Sequence, residues 1–213
     1  MEINPQVISE YCADHSTRPS VLCDELEKFT KENVAMSVML SGPVVGSFLG
    51  FMVSLLKAKR VLEIGTYTGY SALCMAERLP AHGRLISVDI NVETAQIAKK
   101  YWSRSFAGSR IEQQIGDATR LIPLIEGPFD FVFIDADKAG YKTYLDLVSQ
   151  KLSHQAVIVA DNALYDGEVL DPKTASPNGK ELAAFNDYVR DHKLFESVLL
   201  PVRDGLQVIK RRT

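Results

Sequence analysis

Cysteine is scarce in this chain, and its placement excludes more than its number does. Cys12, Cys23 and Cys74 are odd in number and widely spaced, with no C-x-x-C pair. Neither a disulfide framework nor a thiolate zinc site is expected, and the thiols read as those of a reducing compartment. An excess of one charge is lacking too: 24 Lys and Arg stand against 27 Asp and Glu, a formal net charge of −3. No electrostatic reason remains to expect nucleic acid or an anionic membrane as partner, so small-molecule chemistry is the expectation. The chain opens on Met1-Glu2 with no basic segment and apolar core behind it, so no secretory signal is read and the cytoplasm is the expected location. The most apolar stretch, Pro43 to Leu56 (PVVGSFLGFMVSLL), is too short to cross a bilayer and reads as a core helix. Repeats, low-complexity tracts and linkers are missing as well. The 213 residues are therefore expected to form one domain, in which residues 1–56 pack as N-terminal helices on the sheet and the substrate mouth.

What the chain has is a series of apolar runs that end in acids. In Val61 to Leu73, VLEIGTYTGYSAL, an aliphatic run suited to a buried parallel strand stops at a glycine, and Tyr70 to Leu79 follows with helical spacing of apolar side chains. Gly65 and Gly69 permit a tight turn and close approach of a ligand to the backbone. Asp89 ends the next run, LISVD, roughly 20 residues on, the place and distance for an acid that hydrogen-bonds a ribose. A turn that cradles pyrophosphate would read G-x-G-x-x-G, whereas Glu63-x-Gly65-x-x-x-Gly69 sets a carboxylate where phosphate would be repelled. The stretch favours S-adenosylmethionine over NAD, with a ligand-free βα unit as the competing reading.

Further runs continue the alternation. A helix is expected from about Val92 to Phe106, then strands at Ile111–Ile115, Phe129–Ile134 and Ala156–Ala160, a helix near 180–192 and a closing hairpin about Arg203-Asp204-Gly205. Two surface helices are expected ahead of them, over 3–16 and 20–32. The pattern is α/β: a Rossmann-like, mostly parallel sheet with a C-terminal antiparallel hairpin and helices on both faces. Asp117, after the third strand, is placed either to meet an adenine amino group or to cap a helix over 118–125. The fourth and fifth strands run into Asp135-Ala136-Asp137-Lys138 and Asp161-Asn162. Ligands of open α/β sheets bind beyond the carboxyl ends of the strands, so Asp135, Asp161 and Asn162 can converge there. Oxygen donors without Cys or His suit a hard divalent cation, Mg²⁺ first, with Mn²⁺ or Ca²⁺ as alternatives, although each Asp taken alone is more often a cap. Residues 163–178 are turn-rich and read as a mobile loop over the site.

Taken in order, VLEIGTYTGYSAL, ISVDI, IGDA, FVFIDADKAGY, ADN and DGL resemble the cation-dependent O-methyltransferases, the group of catechol and caffeoyl-CoA O-methyltransferases and their bacterial relatives, from about Met39 to Arg211. The resemblance implies an S-adenosylmethionine-dependent fold with a seven-stranded sheet, a divalent metal, a vicinal-diol acceptor of catechol type and a homodimer. It implies that Gly65, Tyr67 and Ser71 line the methionine part of the donor with Glu63 near it, that Asp89 holds the ribose, that Asp117 and Ala118 border the adenine, and that Gly69 and Asp135 also belong to the donor site. Asp135, Asp161 and Asn162 match the family's metal ligands, and Lys138 matches its base for the hydroxyl proton. Two departures bear on the acceptor. Gln207 stands where a glutamate after Asp204-Gly205-Leu206 would bind the second hydroxyl, and Leu182-Ala183-Ala184-Phe185-Asn186 lacks an arginine that meets coenzyme A, which favours free catechols. Two other classes compete: a non-catalytic S-adenosylmethionine-binding scaffold, which has no need of Asp135, Lys138, Asp161 and Asn162 together, and a nicotinamide-dependent dehydrogenase.

Overall fold

A computed structural model describes residues 5–212. The chain begins with three helices, α1 (Gln6–Asp14), α2 (Val21–Asn33) and α3 (Gly42–Leu55), and then alternates. In order follow β1 (Arg60–Ile64), α4 (Tyr70–Ala76), β2 (Arg84–Asp89), α5 (Val92–Trp102), β3 (Ile111–Ile115), the single turn α6 (Ala118–Leu121) and β4 (Phe129–Ile134). The second half holds α7 (Tyr141–Ser149), β5 (Leu152–Ala160), α8 (Pro177–Arg190), β6 (Phe195–Leu200) and β7 (Leu206–Arg211). The strands form one seven-stranded sheet in the order β3-β2-β1-β4-β5-β7-β6. The first five are parallel, and β7 joins β5 and β6 antiparallel. The expected α/β architecture and closing hairpin are present.

Side chains alternate across a strand, so each central strand feeds two cores. Val61, Phe131, Phe133 and Val159 point to one face, where α2, α3 and α4 cover them. Leu62, Ile64, Val132, Ile134 and Ile158 point to the other, under α7 and α8. Successive strands run outward from β1 to β2 and β3, then the chain returns to place β4 on the other side of β1. The crevice beyond the carboxyl ends of β1 and β4 is thus the topological switch point, where such sheets bind ligands.

Three expectations change. The expected core helix is present, but with the short turn before it the apolar stretch is longer than Pro43 to Leu56: residues Ser37–Leu55, 19 in number with mean hydropathy 1.8, are by length and composition enough to cross a membrane. The backbone is nevertheless broken inside it, since Leu40 is extended (ψ 131°) and Gly42 has φ +77°. What remains, α3, has 14 residues, about 21 Å at 1.5 Å per residue against a hydrocarbon core of roughly 30 Å. It is a core helix on one face only: Val45, Leu49 and Val53 are buried, while Phe51 and Leu55 are exposed. The connector 163–178 carries its own 3₁₀ turns at Tyr165–Leu170, tied down where Glu168 accepts from the amide of Ser176 at 2.8 Å and from its hydroxyl. The first helix starts at Gln6; positions 3 and 4 of its expected range lie outside the described residues.

Candidate functional site

The donor half is built from the turn after β1. Gly65 adopts φ +95°, and a Cβ there would lie 1.9 Å from the carbonyl oxygen of Asp135. Only glycine lets the turn close on the end of β4 in this way. The amides of Thr66 and Tyr67 then donate to one carboxylate oxygen of Asp89, at 2.7 and 2.8 Å, and the amide of Asn91 donates to the other at 2.8 Å. Asp89 is thereby fixed at the rim of the crevice by the same turn that lines it. The Trp102 indole N–H donates to the carbonyl of Gly69 at 2.9 Å and seats the start of α4. Tyr67, at φ +49°, turns its hydroxyl to donate to the carbonyl of Ala35 at 2.8 Å.

Glu63 is placed differently from the other donor candidates. Alternation along β1 points it toward α4, and it is wholly buried. One oxygen accepts from the Ser71 hydroxyl at 2.6 Å and the other from Ser87, which is itself linked to Thr66 at 2.6 Å. Burial, with Asp89 and Asp135 adding to it against the two serine hydrogen bonds, pushes its carboxyl up to about 8. Glu63 therefore lies beneath the floor, and Ser71 and Thr66 are the members of this network that reach the cleft. Asp117 caps α6, accepting from the amide and hydroxyl of Thr119 at 2.8 and 2.7 Å, which hold its pKa low. Both residues first considered for the adenine edge, Asp117 and Ala118, also line the cleft.

The acceptor half gathers at the ends of β4 and β5. Asp135 follows β4, its amide donating to the carbonyl of Ile64 at 2.8 Å. Lys138 donates from Nζ to Asp135 Oδ1 at 3.1 Å, to the Tyr141 hydroxyl at 2.8 Å and to Asn162 Oδ1 at 2.7 Å. Asp161 is fully buried; Oδ1 accepts from the amide of Asn162 at 2.7 Å, while Oδ2 has no hydrogen-bond partner. Burial, then the neighbouring Asp135, raises its pKa. An unpaired carboxylate oxygen in such a place is costly unless a cation meets it. Asn162, at φ +58°, donates from Nδ2 to Asp204 at 3.1 Å, which turns Oδ1 toward Lys138 and Asp135. Asp135, Lys138 and Asn162 line one cleft of about 900 Å³ together with Gly65, Tyr67 and Asp89. Among the described residues no group of three His, Cys, Asp or Glu side chains gathers as a metal site; the candidate set is two carboxylates and one amide.

Several lining residues were not singled out by their sequence. Asp204 is read from the sequence as part of the closing turn and of the Asp204-Gly205-Leu206 motif, with no site role, yet it orients Asn162 and accepts from the amide of Asp166 at 2.6 Å. Tyr165 and Asn178, hydrogen-bonded to each other at 3.0 Å, form an outer wall with Val38 and Met39. Gln207 is not on that wall. It pairs with Ala160 in the sheet, is buried and donates to Ser197 at 3.1 Å, so the position after Asp204-Gly205-Leu206 does not reach an acceptor here.

A parallel sheet with a glycine turn and a ribose-type acid at its switch point, and a polar cluster at the next strand ends, is the architecture of a class of methyltransferases. The SAH-bound methyltransferase of Podospora anserina superposes with a TM-score of 0.90 at 26% identity, covering 97% of this chain and 94% of that one. An O-methyltransferase of Bacillus cereus in complex with SAH gives 0.87 at 25%, covering 97% of each chain. By sequence, a probable caffeoyl-CoA O-methyltransferase of Dictyostelium discoideum is 34% identical over 96% of this chain and 91% of its own length. A catechol O-methyltransferase of Niastella koreensis is 35% identical over 78% and 76%. The O-methyltransferase family profile matches residues 13–212. The chain belongs to the O-methyltransferase family.

Proposed function

We propose that the protein transfers the methyl group of S-adenosylmethionine to one hydroxyl of a vicinal diol of catechol type, with a divalent cation, Mg²⁺ first, held by Asp135, Asp161 and Asn162. The single observation that carries the cation is the buried, unpartnered Oδ2 of Asp161 beside Asp135 and the inward-turned Oδ1 of Asn162. The donor is supported by the turn at Gly65, by the fixed carboxylate of Asp89, and by the SAH bound in the related structures. A divalent ion held by Asp135, Asp161 and Asn162 would supply Lewis-acid chemistry, lowering the pKa of an acceptor hydroxyl.

The chain's own residues do the rest. Asp89 and the Thr66–Tyr67 amides orient the nucleoside, and Gly65 and Ser71 set the methionine end. The methyl carbon is then presented in line to an acceptor oxygen at about 3 Å, a near-attack distance. Lys138, once its ammonium has given up a proton to solvent, takes the hydroxyl proton as the neutral amine; as the oxygen–carbon bond forms, the carbon–sulfur bond breaks and its electrons stay on sulfur. The acceptor ring lies against Tyr165 and Met39 at the cleft mouth. The absence of an arginine at 182–184 favours free catechols over coenzyme A esters, even though caffeoyl-CoA enzymes are among the relatives.

Methylation of 3,4-dihydroxybenzoate is expected to stop in EDTA and return with Mg²⁺; turnover that persists in EDTA rejects the cation. Asp161→Asn is expected to weaken Mg²⁺ binding by at least about 100-fold, the upper range for loss of a supporting residue, because it removes a ligand itself. Its affinity for S-adenosylmethionine, measured by calorimetry, should stay within roughly threefold, since Asp161 touches no part of the donor turn. Lys138→Ala should lower kcat by about 10²-fold or more with little change in donor affinity, the range for a positioned proton acceptor. An unchanged kcat assigns the proton to another group.

A further inference from the structure

Lys138 contacts two of the oxygens that the cation needs. Its ammonium lies 3.1 Å from Asp135 Oδ1 and 2.7 Å from Asn162 Oδ1. The Lys138–Asp135 pair is not a screened surface bridge, because the two side chains are only 12% and 18% exposed. An oxygen can share its lone pairs between two donors, but an ammonium and a dication on the same two oxygens are like charges only a few ångström apart, in a site largely shielded from water. They cannot both sit there at ease.

We propose that Lys138 is an internal competitor for the cation: the metal loads only as Nζ leaves Asp135 and Asn162, and Tyr141 is the place it keeps. Tyr141 is wholly buried and its hydroxyl is fixed by donating to the carbonyl of Asp161 at 3.2 Å. That hydroxyl accepts from Lys138 Nζ at 2.8 Å, and the ammonium also lies 4.9 Å from the ring centroid. On leaving the Asp135 carboxylate and the Asn162 amide oxygen, the lysine therefore pivots about Tyr141 and stays in the cleft. Loading the cation and releasing the lysine toward the acceptor become one event. Lys138 has this role only if Asp135, Asp161 and Asn162 hold a cation, as proposed above.

The opposite role is equally definite in its consequence. If Lys138 merely holds Asp135 and Asn162 in register for the metal, removing it weakens metal binding; if it competes, removing it tightens binding. Competition lowers the apparent affinity by the fraction of time the oxygens are free. Lysine occupancy of nine-tenths corresponds to about a tenfold effect on Kd.

Calorimetric titration of Mn²⁺ and of Mg²⁺ into the full chain, without donor or acceptor, reads this directly. Lys138→Met is expected to bind each ion about tenfold more tightly than the native chain, and Lys138→Gln, which keeps a polar head, is expected to move in the same direction. In ¹⁵N-lysine-labelled protein, the ammonium resonance missing from Lys138→Met should shift when Mg²⁺ is added to the native chain. Binding that appears only in the two variants also supports competition. Equal or weaker binding in both variants, or a lysine resonance indifferent to Mg²⁺, overturns it while leaving the cation site standing. No binding in any of the three proteins removes the cation site, and the competitor with it.

Discussion

Gly65→Ala is expected to cost more than two orders of magnitude in methyl transfer and to lower the melting temperature by about 6 °C or more. The new Cβ would stand 1.9 Å from the carbonyl oxygen of Asp135 and 3.1 Å from the amide of Ala136. Both neighbours are backbone, so no rotamer change relieves the overlap, and the end of β1 must separate from the end of β4. The positive φ adds about 1–2 kcal/mol for an L-residue. With the displacement, the loss should reach about 3 kcal/mol, worth roughly 2–4 °C for each kcal/mol in a chain of this size. Activity suffers more than stability because the atom struck belongs to Asp135, a proposed cation ligand, while the residue that strikes it belongs to the donor turn. A misplacement of about 1 Å in either half costs on the order of 10²-fold. Donor affinity by calorimetry, kcat and thermal melting together check this; a variant with native kcat would mean that the turn and the cation oxygens are positioned independently.

The second large effect is on stability against pH and comes from Glu63. Its carboxyl is raised from 4.5 to about 8 by full burial, so between those values the folded chain keeps a proton that the unfolded chain releases. Stability from this group is complete below pH 4.5 and is lost as pH rises through about 8. At about 1.4 kcal/mol per pKa unit, the swing is on the order of 5 kcal/mol. Glu63→Gln keeps the shape and cannot ionise, so its melting temperature should fall less steeply than that of the native chain from pH 6 to 9, and at pH 9 it should be the more stable of the two. Parallel curves for the two proteins would show that Glu63 is already ionised in the fold.

The central strands β1, β2, β4 and β5 were legible because each closes on an apolar run that stops at an acid or a glycine, a pattern that periodicity and the rule of ligand binding at strand ends both interpret. For the same reason Asp135, Asp161 and Asn162 could be placed at one edge from adjacency of β4 and β5 alone, and Lys138, singled out by the resemblance, lies at hydrogen-bond distance from two of them. Glu63 was harder. As an acid before a glycine it looks like a ligand to the donor, but alternation with Leu62 and Ile64 turns it into the layer under α4. Its partners Ser71 and Ser87 come from a helix and a neighbouring strand, and no spacing in the chain announces them. The site role of Asp204 is not legible from its motif, because a turn aspartate has a sufficient local explanation and its second task depends on the left-handed backbone of Asn162. The break before α3 likewise depends on the positive φ of Gly42, which stands between Ser41 and Pro43 just ahead of the apolar stretch.

The closure of Gly65 on Asp135 also has a consequence in time. Positions 65 and 135 are brought together only by pairing of β1 with β4, across the whole βαβα excursion that lies between them. Such non-local parallel pairing forms late, after the loop-closure entropy has been met. A nascent chain that has emerged through β3 therefore has the donor turn and its Asp89 anchor but not the end of β4 on which Gly65 closes, and the cleft is complete only when β4 is in place.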